Sequence, residues 1–114
     1  MVLDRDDSVP AIAAGGRDSI AVRMPAHPVA LHLIESFGGP VSAPSANRSG
    51  SISPTEARHV LGDFADEDLL ILDGGPCRIG LESTVVDLRS ETPVILRPGA
   101  VTADRIAGLL GRPV

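Results

Sequence analysis

GLESTVVDLRSETPVILRPG, residues 80–99, holds the clearest backbone signals in the chain. Thr84 to Leu88 (TVVDL) is dense in β-branched residues and reads as a strand. Val94 to Leu96 (VIL) reads as a second. The polar cluster Gly80-Leu81-Glu82-Ser83-Thr84 places Ser83 at the mouth of the first strand, and Arg97-Pro98-Gly99 closes the second. Toward the C-terminus, Thr102 to Leu110 reads as a helix capped by Thr102 and ended by Gly111.

Working back from Gly80, Asp73-Gly74-Gly75 is a turn and Asp68 to Leu72 (DLLIL) reads as a strand. Pro54 suits the first turn of a helix with Ser53 as N-cap and Glu56 three residues later. Ala57, Val60, Leu61 and Phe64 give that helix an apolar face. Ser45 to Ser53 (SANRSGSIS) is a polar loop, and Pro40 to Pro44 (PVSAP) reads as a short buried strand. Val29 to Phe37 carries Leu31, Ile34 and Phe37 at helical spacing and stops at Gly38-Gly39. Ser19 to Met24 (SIAVRM) reads as a strand stopped by Pro25 and Pro28. Val9 to Gly16 is small and apolar, and Val2 with Leu3 looks like a strand end followed by the acidic turn Asp4 to Asp7. The pattern is α/β, with hairpin-like and crossover connections.

The chain has 114 residues, 43% hydrophobic and 22% charged, which is the balance of a globular domain. One domain is expected, with about two-thirds of its surface buried around a single modest core. Phe37 and Phe64 are its only aromatics, so that core falls to Leu, Ile, Val and Ala. Every basic residue is an arginine, and the formal net charge is -5. Such a chain lacks the positive field and stacking platform of a dedicated nucleic-acid binder. Cys77 is the sole cysteine, which rules out an internal disulfide and a four-cysteine zinc site. No apolar run reaches the ~20 residues that span a bilayer. Residues 1–7 are too charged for a signal-peptide core. A cytoplasmic protein without a membrane role is expected.

Three polar features could carry chemistry. The loop Ser45-Ala46-Asn47-Arg48-Ser49-Gly50 follows an expected strand and precedes a helix, where small hydroxyls, amides and free backbone N–H groups can hold phosphate or carboxylate oxygens. The same residues also suit an ordinary turn. Ser83 in its cluster has the same two readings. Arg23 (AVRMP) and Arg97 (LRPG) lie in or beside apolar strands, where partial burial would demand an anionic partner. That partner is either a ligand or an internal carboxylate, Glu82 or Asp87. His27 before Pro28 suits a turn more than a general base. Cys77 has no context that would lower its pKa. No Ser/His/Asp spacing and no metal-ligand spacing is visible, so neither a catalytic nucleophile nor a metal ligand is assigned.

Four segments in fixed order carry a family resemblance: AVRMPAHP (21–28), PVSAPSANRSGSISPT (40–55), LDGGPCRIGLESTVVD (72–87) and LRPG (96–99). Together they resemble the C-terminal half of the YrdC-like threonylcarbamoyl-adenylate synthase domain, with Ser45-Ala46-Asn47 as its S-x-N element. The match spans about Val2 to Arg105. The resemblance implies a YrdC-like α/β fold, a twisted mixed parallel/antiparallel sheet with flanking helices and a concave active face. It implies a nucleotidyltransferase that makes threonylcarbamoyl-AMP and pyrophosphate from L-threonine, bicarbonate and ATP. Mg2+ assists, and a separate transferase complex then modifies tRNA. By position, it implies L-threonine contacts from Arg23 and Ser83. It implies ATP contacts from Ser19, Ala43, Ser45, Asn47, Ser53 and Arg97, all of them gathered round one pocket.

The family's T-x-T-x-Y-G segment and K-x-R motif are not in this sequence, and the absence of lysine excludes a displaced copy of the second. The expectation is therefore a C-terminal part over residues 1–114, N-terminally incomplete, and inactive alone or in need of a complementing piece. The alternatives are a YrdC-like carbamoyl- or nucleotide-binding paralogue, a double-stranded-RNA-binding module with weak RNA affinity, and a remnant without function.

Overall fold

The computed structural model describes residues 1–114. The chain divides into two compact units. The first comprises Met1–Met24 and Leu81–Val114, and the second Pro25–Gly80.

The first unit is built on a four-stranded mixed sheet. Its strands are β1 (Val2–Asp4), β2 (Ser19–Ala21), β3 (Val85–Asp87) and β4 (Val94–Arg97), in the order β2-β1-β3-β4. β1 runs antiparallel to β2, with Leu3 opposite Ile20, and parallel to β3, with Val2 opposite Asp87. β3 and β4 form the antiparallel pair expected from residues 84–96. Their register shifts between Val85, which faces Arg97, and Val86, which faces Ile95. Leu96 is thus an extra residue immediately before Arg97, a bulge of the kind that re-aims the next side chain. Between β1 and β2 the small apolar run makes one 3-10 turn, Ala11–Ala14, closed by Gly15 at φ 60°.

Helix α3 (Ala103–Leu110) ends the unit and follows its local signals. The Thr102 hydroxyl accepts from the Arg105 backbone N–H, and Gly111 takes the left-handed conformation at the C-terminus. Val86, on β3, is the buried apolar residue of the sheet, and Pro93 beside β4 is fully enclosed.

The second unit contains helix α1 (Pro28–Phe37) and helix α2 (Ala57–Asp63). α1 opens on a proline, which needs no N–H there, and stops at Gly38 (φ 75°), whose N–H returns to Ile34 and Glu35 carbonyls. Leu31 and Ile34 are half-buried. Val29, Leu33 and Phe37 form an exposed stripe on the helix.

Three expected elements in this unit are corrected. Pro40 to Pro44 forms no strand and is exposed. Asp68 to Leu72 is likewise not a strand. A strand exists only when a neighbour completes its ladder, and neither segment pairs with one. The third correction moves the start of α2 from Pro54 to Ala57, with Glu56 rather than Ser53 at the N-cap position. Glu56 remains extended (φ -144°, ψ 154°), and its carboxylate takes the Arg58 guanidinium instead of folding back. The Thr55 carbonyl accepts from Cys77 N–H at 2.8 Å, which holds this entry residue outside the helix. In the first unit, β2 ends at Ala21 rather than Met24.

The expected burial is not reached either. The accessible surface is 9031 Å². A compact monomer of 11.8 kDa would expose about 5,900 Å². Roughly half of the extended-chain surface is removed from water, not two-thirds. The excess is visible in single residues: Phe37 is 69% exposed, Leu70 91% and Leu109 79%. No helix is long and apolar enough to cross a membrane.

Candidate functional site

The chain approaches Ser83 from two sides within the first unit. Past the end of β2, Val22 still exchanges hydrogen bonds with Met1, and the chain then reaches Arg23. The Arg23 Nη2 donates to the Ser83 hydroxyl at 2.5 Å. From the end of β4, Arg97 donates through Nε and Nη2 to the Ser83 carbonyl at 3.0 and 2.9 Å. The sequence intervals are 60 and 14 residues, so the sheet, not local structure, creates this meeting. The bulge at Leu96 sets the direction from which Arg97 arrives.

All three residues are exposed. This corrects the expected partial burial of Arg23 and Arg97. In water a guanidinium needs no buried counter-ion, and here each finds neutral oxygens of Ser83. Asp87, one of the carboxylates that could have taken them up, is engaged by Arg89 through a close pair at 2.6 Å. The Arg89 side-chain and backbone hydrogen bonds hold the Asp87 carboxyl well below the usual range, at about 2. Two exposed guanidiniums on one serine, Arg23 at its hydroxyl and Arg97 at its carbonyl, can receive a carboxylate or phosphate through their remaining N–H groups by charge-assisted hydrogen bonds. Ser19 belongs to the same unit. It opens β2 opposite Asp4 and is half-buried.

Ala43, Ser45, Asn47 and Ser53 fall in the second unit. Ala43, Ser45 and Ser53 are exposed on the loop that leads to α2. Asn47 organises that loop: its Nδ2 donates to the carbonyls of Arg48 (3.2 Å) and Ser51 (2.9 Å). Its Oδ1 is buried without a protein partner.

Arg48, a residue that the sequence did not single out, fastens the loop to α2. Its Nε donates to the Asp63 carbonyl at 2.6 Å, its backbone N–H to the Asp63 carboxylate at 3.3 Å, and its guanidinium lies 5.5 Å from the Phe64 ring centroid. A cation at the last carbonyls of a helix is also favoured by the helix dipole. The only signal available in the sequence was adjacency to the S-x-N element.

His27 lies against the Asp73–Gly75 segment, and Cys77 follows it. The His27 ring lies so close to Gly74 that any Cβ there would collide with it. The Asp73 carboxylate accepts from Gly75 N–H at 2.8 Å, and Cys77 is exposed. Neither His27 nor Cys77 contacts a partner that would make it a base–nucleophile pair. A groove of about 470 Å³ runs along α1, lined by Pro28, Val29, His32, Leu33, Ser36 and Leu72. No expected site residue lines it, and its mostly apolar walls offer an anion no fixed charge. No group of three or more His, Cys, Asp or Glu side chains gathers that could hold a metal ion.

Comparison with known proteins gives a consistent picture. The Sua5/YciO/YrdC family model, described as telomere recombination, matches residues 1–99. The chain is 50% identical over 111 residues to a threonylcarbamoyl-AMP synthase of Pyrococcus abyssi, covering 97% of this chain and 33% of that protein. It is 45% identical over 107 residues to the Bacillus subtilis threonylcarbamoyl-AMP synthase, covering 94% of this chain and 31% of the relative. The chain thus spans about a third of the length of these curated relatives. The structure of P. abyssi Sua5 complexed with L-threonine superposes with a TM-score of 0.90 at 50% identity, covering 98% of this chain and 33% of that one. The expected mixed parallel/antiparallel α/β fold is therefore borne out.

Proposed function

This chain belongs to the Sua5/YciO/YrdC family, and on that premise we propose that it contributes to a nucleotidyltransferase making threonylcarbamoyl-AMP from L-threonine, bicarbonate and ATP. One observation carries the reading: Arg23, just past β2, and Arg97, the last residue of β4, converge on Ser83. That arrangement is the chemical complement of an amino acid with a hydroxyl and a carboxylate. The L-threonine bound in the similar P. abyssi Sua5 structure supports the same choice of ligand.

In this reading Arg23 takes the threonine carboxylate and Ser83 a second polar contact. By the family resemblance, Arg97, Ser19, Ala43, Ser45, Asn47 and Ser53 serve ATP. The threonine amine and bicarbonate condense to a carbamate with loss of water. A carbamate oxygen then bonds to the α-phosphorus of ATP, and pyrophosphate leaves. Placement and charge neutralisation accelerate both steps, so no side-chain nucleophile is needed. Magnesium would accompany the ATP phosphates. The chain's own residues form no ligand cluster for it, so no step here runs through the metal. The product would be consumed by a transferase complex acting on tRNA, in the cytoplasm.

The test is L-threonine binding followed by NMR titration of the 114-residue chain, with pyrophosphate release measured alongside. Binding that shifts the Ser83 amide and the Arg23 Nε–Hε signal, and weakens at least about tenfold in Arg23→Ala, is the expected result. Binding unaffected by Arg23→Ala, or no binding at tens of millimolar threonine, would overturn the assignment.

A further inference from the structure

Ser83 is only as well placed as the peptide that carries it, and that peptide is held by three alternate residues of the segment leaving β4. Arg97 donates twice to the Ser83 carbonyl. Gly99 passes so close that a Cβ would come within 3.0 Å of the Glu82 oxygen, the Thr84 nitrogen and the Ser83 carbonyl carbon. Val101 is tied to Thr84 in both directions: the Thr84 hydroxyl donates to its carbonyl at 2.8 Å and accepts from its N–H at 3.1 Å.

We propose that Gly99 and Thr84 are positioning residues that seat Ser83, and through it Arg23 and Arg97, for ligand binding. The inference rests on the reading of Ser83 as an L-threonine contact and assigns two residues that this reading leaves without a role. Gly99 is not in the left-handed region, so its requirement is space and not backbone freedom. The atoms that a Cβ would meet are all backbone. No rotamer change can relieve the clash, and the Glu82–Thr84 peptide itself has to move. Such a move separates the Ser83 carbonyl from Arg97 and its hydroxyl from Arg23 together. Thr84 acts from the other side, because a hydroxyl that both donates and accepts fixes the distance between the two segments. Valine keeps the branched shape that suits the strand start but leaves the Val101 N–H and carbonyl without their partner.

The test uses the full 114-residue chain by 1H–15N NMR, with L-threonine as the probe. In Gly99→Ala the Ser83 amide and the Arg23 and Arg97 Nε–Hε signals shift in the free protein. Threonine affinity falls at least about tenfold, while the Val86 and Ile95 amides keep their exchange protection. Thr84→Val produces the same signature more weakly, and Thr84→Ser restores it toward wild type. The proposal fails if Gly99→Ala leaves the Ser83 and arginine signals in place, or if Thr84→Ser is as damaged as Thr84→Val. If Gly99→Ala does not fold, the Thr84→Val and Thr84→Ser pair decides. A wild-type chain that binds no threonine sinks the functional reading alone; the seat is then judged by the free-protein shifts.

Discussion

Replacing Arg48 by alanine should loosen the Ser45–Asn47 loop, because that one side chain fastens it to α2. Three contacts are lost. The hydrogen bond from Nε to the Asp63 carbonyl is charge-assisted and short at 2.6 Å, but the side chain is 51% exposed, so about 1 kcal/mol is a fair share. The ion pair with Asp66 spans 3.6 Å, and its carboxylate is 87% exposed, so it contributes about 0.3 kcal/mol at most. The guanidinium 5.5 Å from the Phe64 ring adds about 0.5 kcal/mol. The variant should lose about 1.5 kcal/mol in urea unfolding. Exchange of the Ser51 amide, which is bonded to the Arg48 carbonyl at 3.0 Å, should speed up about tenfold. Arg48→Lys keeps a charge near Asp66 but loses the planar fork and the Nε donor, and should lose about 1 kcal/mol. A loss below about 0.3 kcal/mol with unchanged Ser51 exchange would refute the idea that Arg48 holds this loop.

Two further outcomes follow from the first unit. Val86→Ala removes about two methylene equivalents from a buried strand centre, so about 1.5 kcal/mol is expected in urea unfolding. The thin packing around it adds little cavity cost, and a loss above about 3.5 kcal/mol would show tighter enclosure than the structure has. Asp87 has its pKa depressed by Arg89 to about 2, from an ordinary value of 3.8. Its contribution is present above the ordinary value and is lost as pH falls through about 2. A melting series from pH 5 to pH 2 should therefore show a shallower acid decline in Asp87→Asn than in wild type; equal slopes would show that the pair does not couple to folding.

How much of this was legible in the sequence depended on whether the cause was local. Thr102, Gly111 and Gly38 act on the backbone groups of their own helix ends, and each does what its residue type suggests. The strands at Val85 and Val94 were visible because β-branched runs on both sides of a short connection find each other. DLLIL and PVSAP have strand-like composition, but composition cannot supply the neighbour that a ladder needs, and none is there. The late start of α2 is also non-local, since the Thr55 carbonyl answers to Cys77, twenty-two residues on. Arg23 and Arg97 were picked out by a reading that required buried cations, and Ser83 by its polar cluster at a strand mouth. They do meet, but in the open, because the order β2-β1-β3-β4 brings the segment just past β2 and the end of β4 to Ser83. Neither that order nor the bulge at Leu96 is written in any short segment.

The open setting of the arginines limits what they can do alone. A unit charge pair about 4 Å apart gains about 1 kcal/mol in bulk water and about 4 kcal/mol at the effective dielectric of a protein surface. Exposed pairs deliver about 0.2–1 kcal/mol net once side-chain ordering and screening are counted. Two such cations and one hydroxyl cannot offset the cost of immobilising a small zwitterion by more than a few kcal/mol, which is affinity on the order of millimolar. Tighter binding needs water to be excluded from Arg23 and Arg97, because lowering the local dielectric multiplies every contact already present. Ser83 is exposed as well, so that exclusion must come from whatever covers the site when ligand is bound. Positioning by Gly99 and Thr84 and covering of the arginines are thus separable requirements. The first alters which oxygens meet, and the second alters how much each meeting contributes.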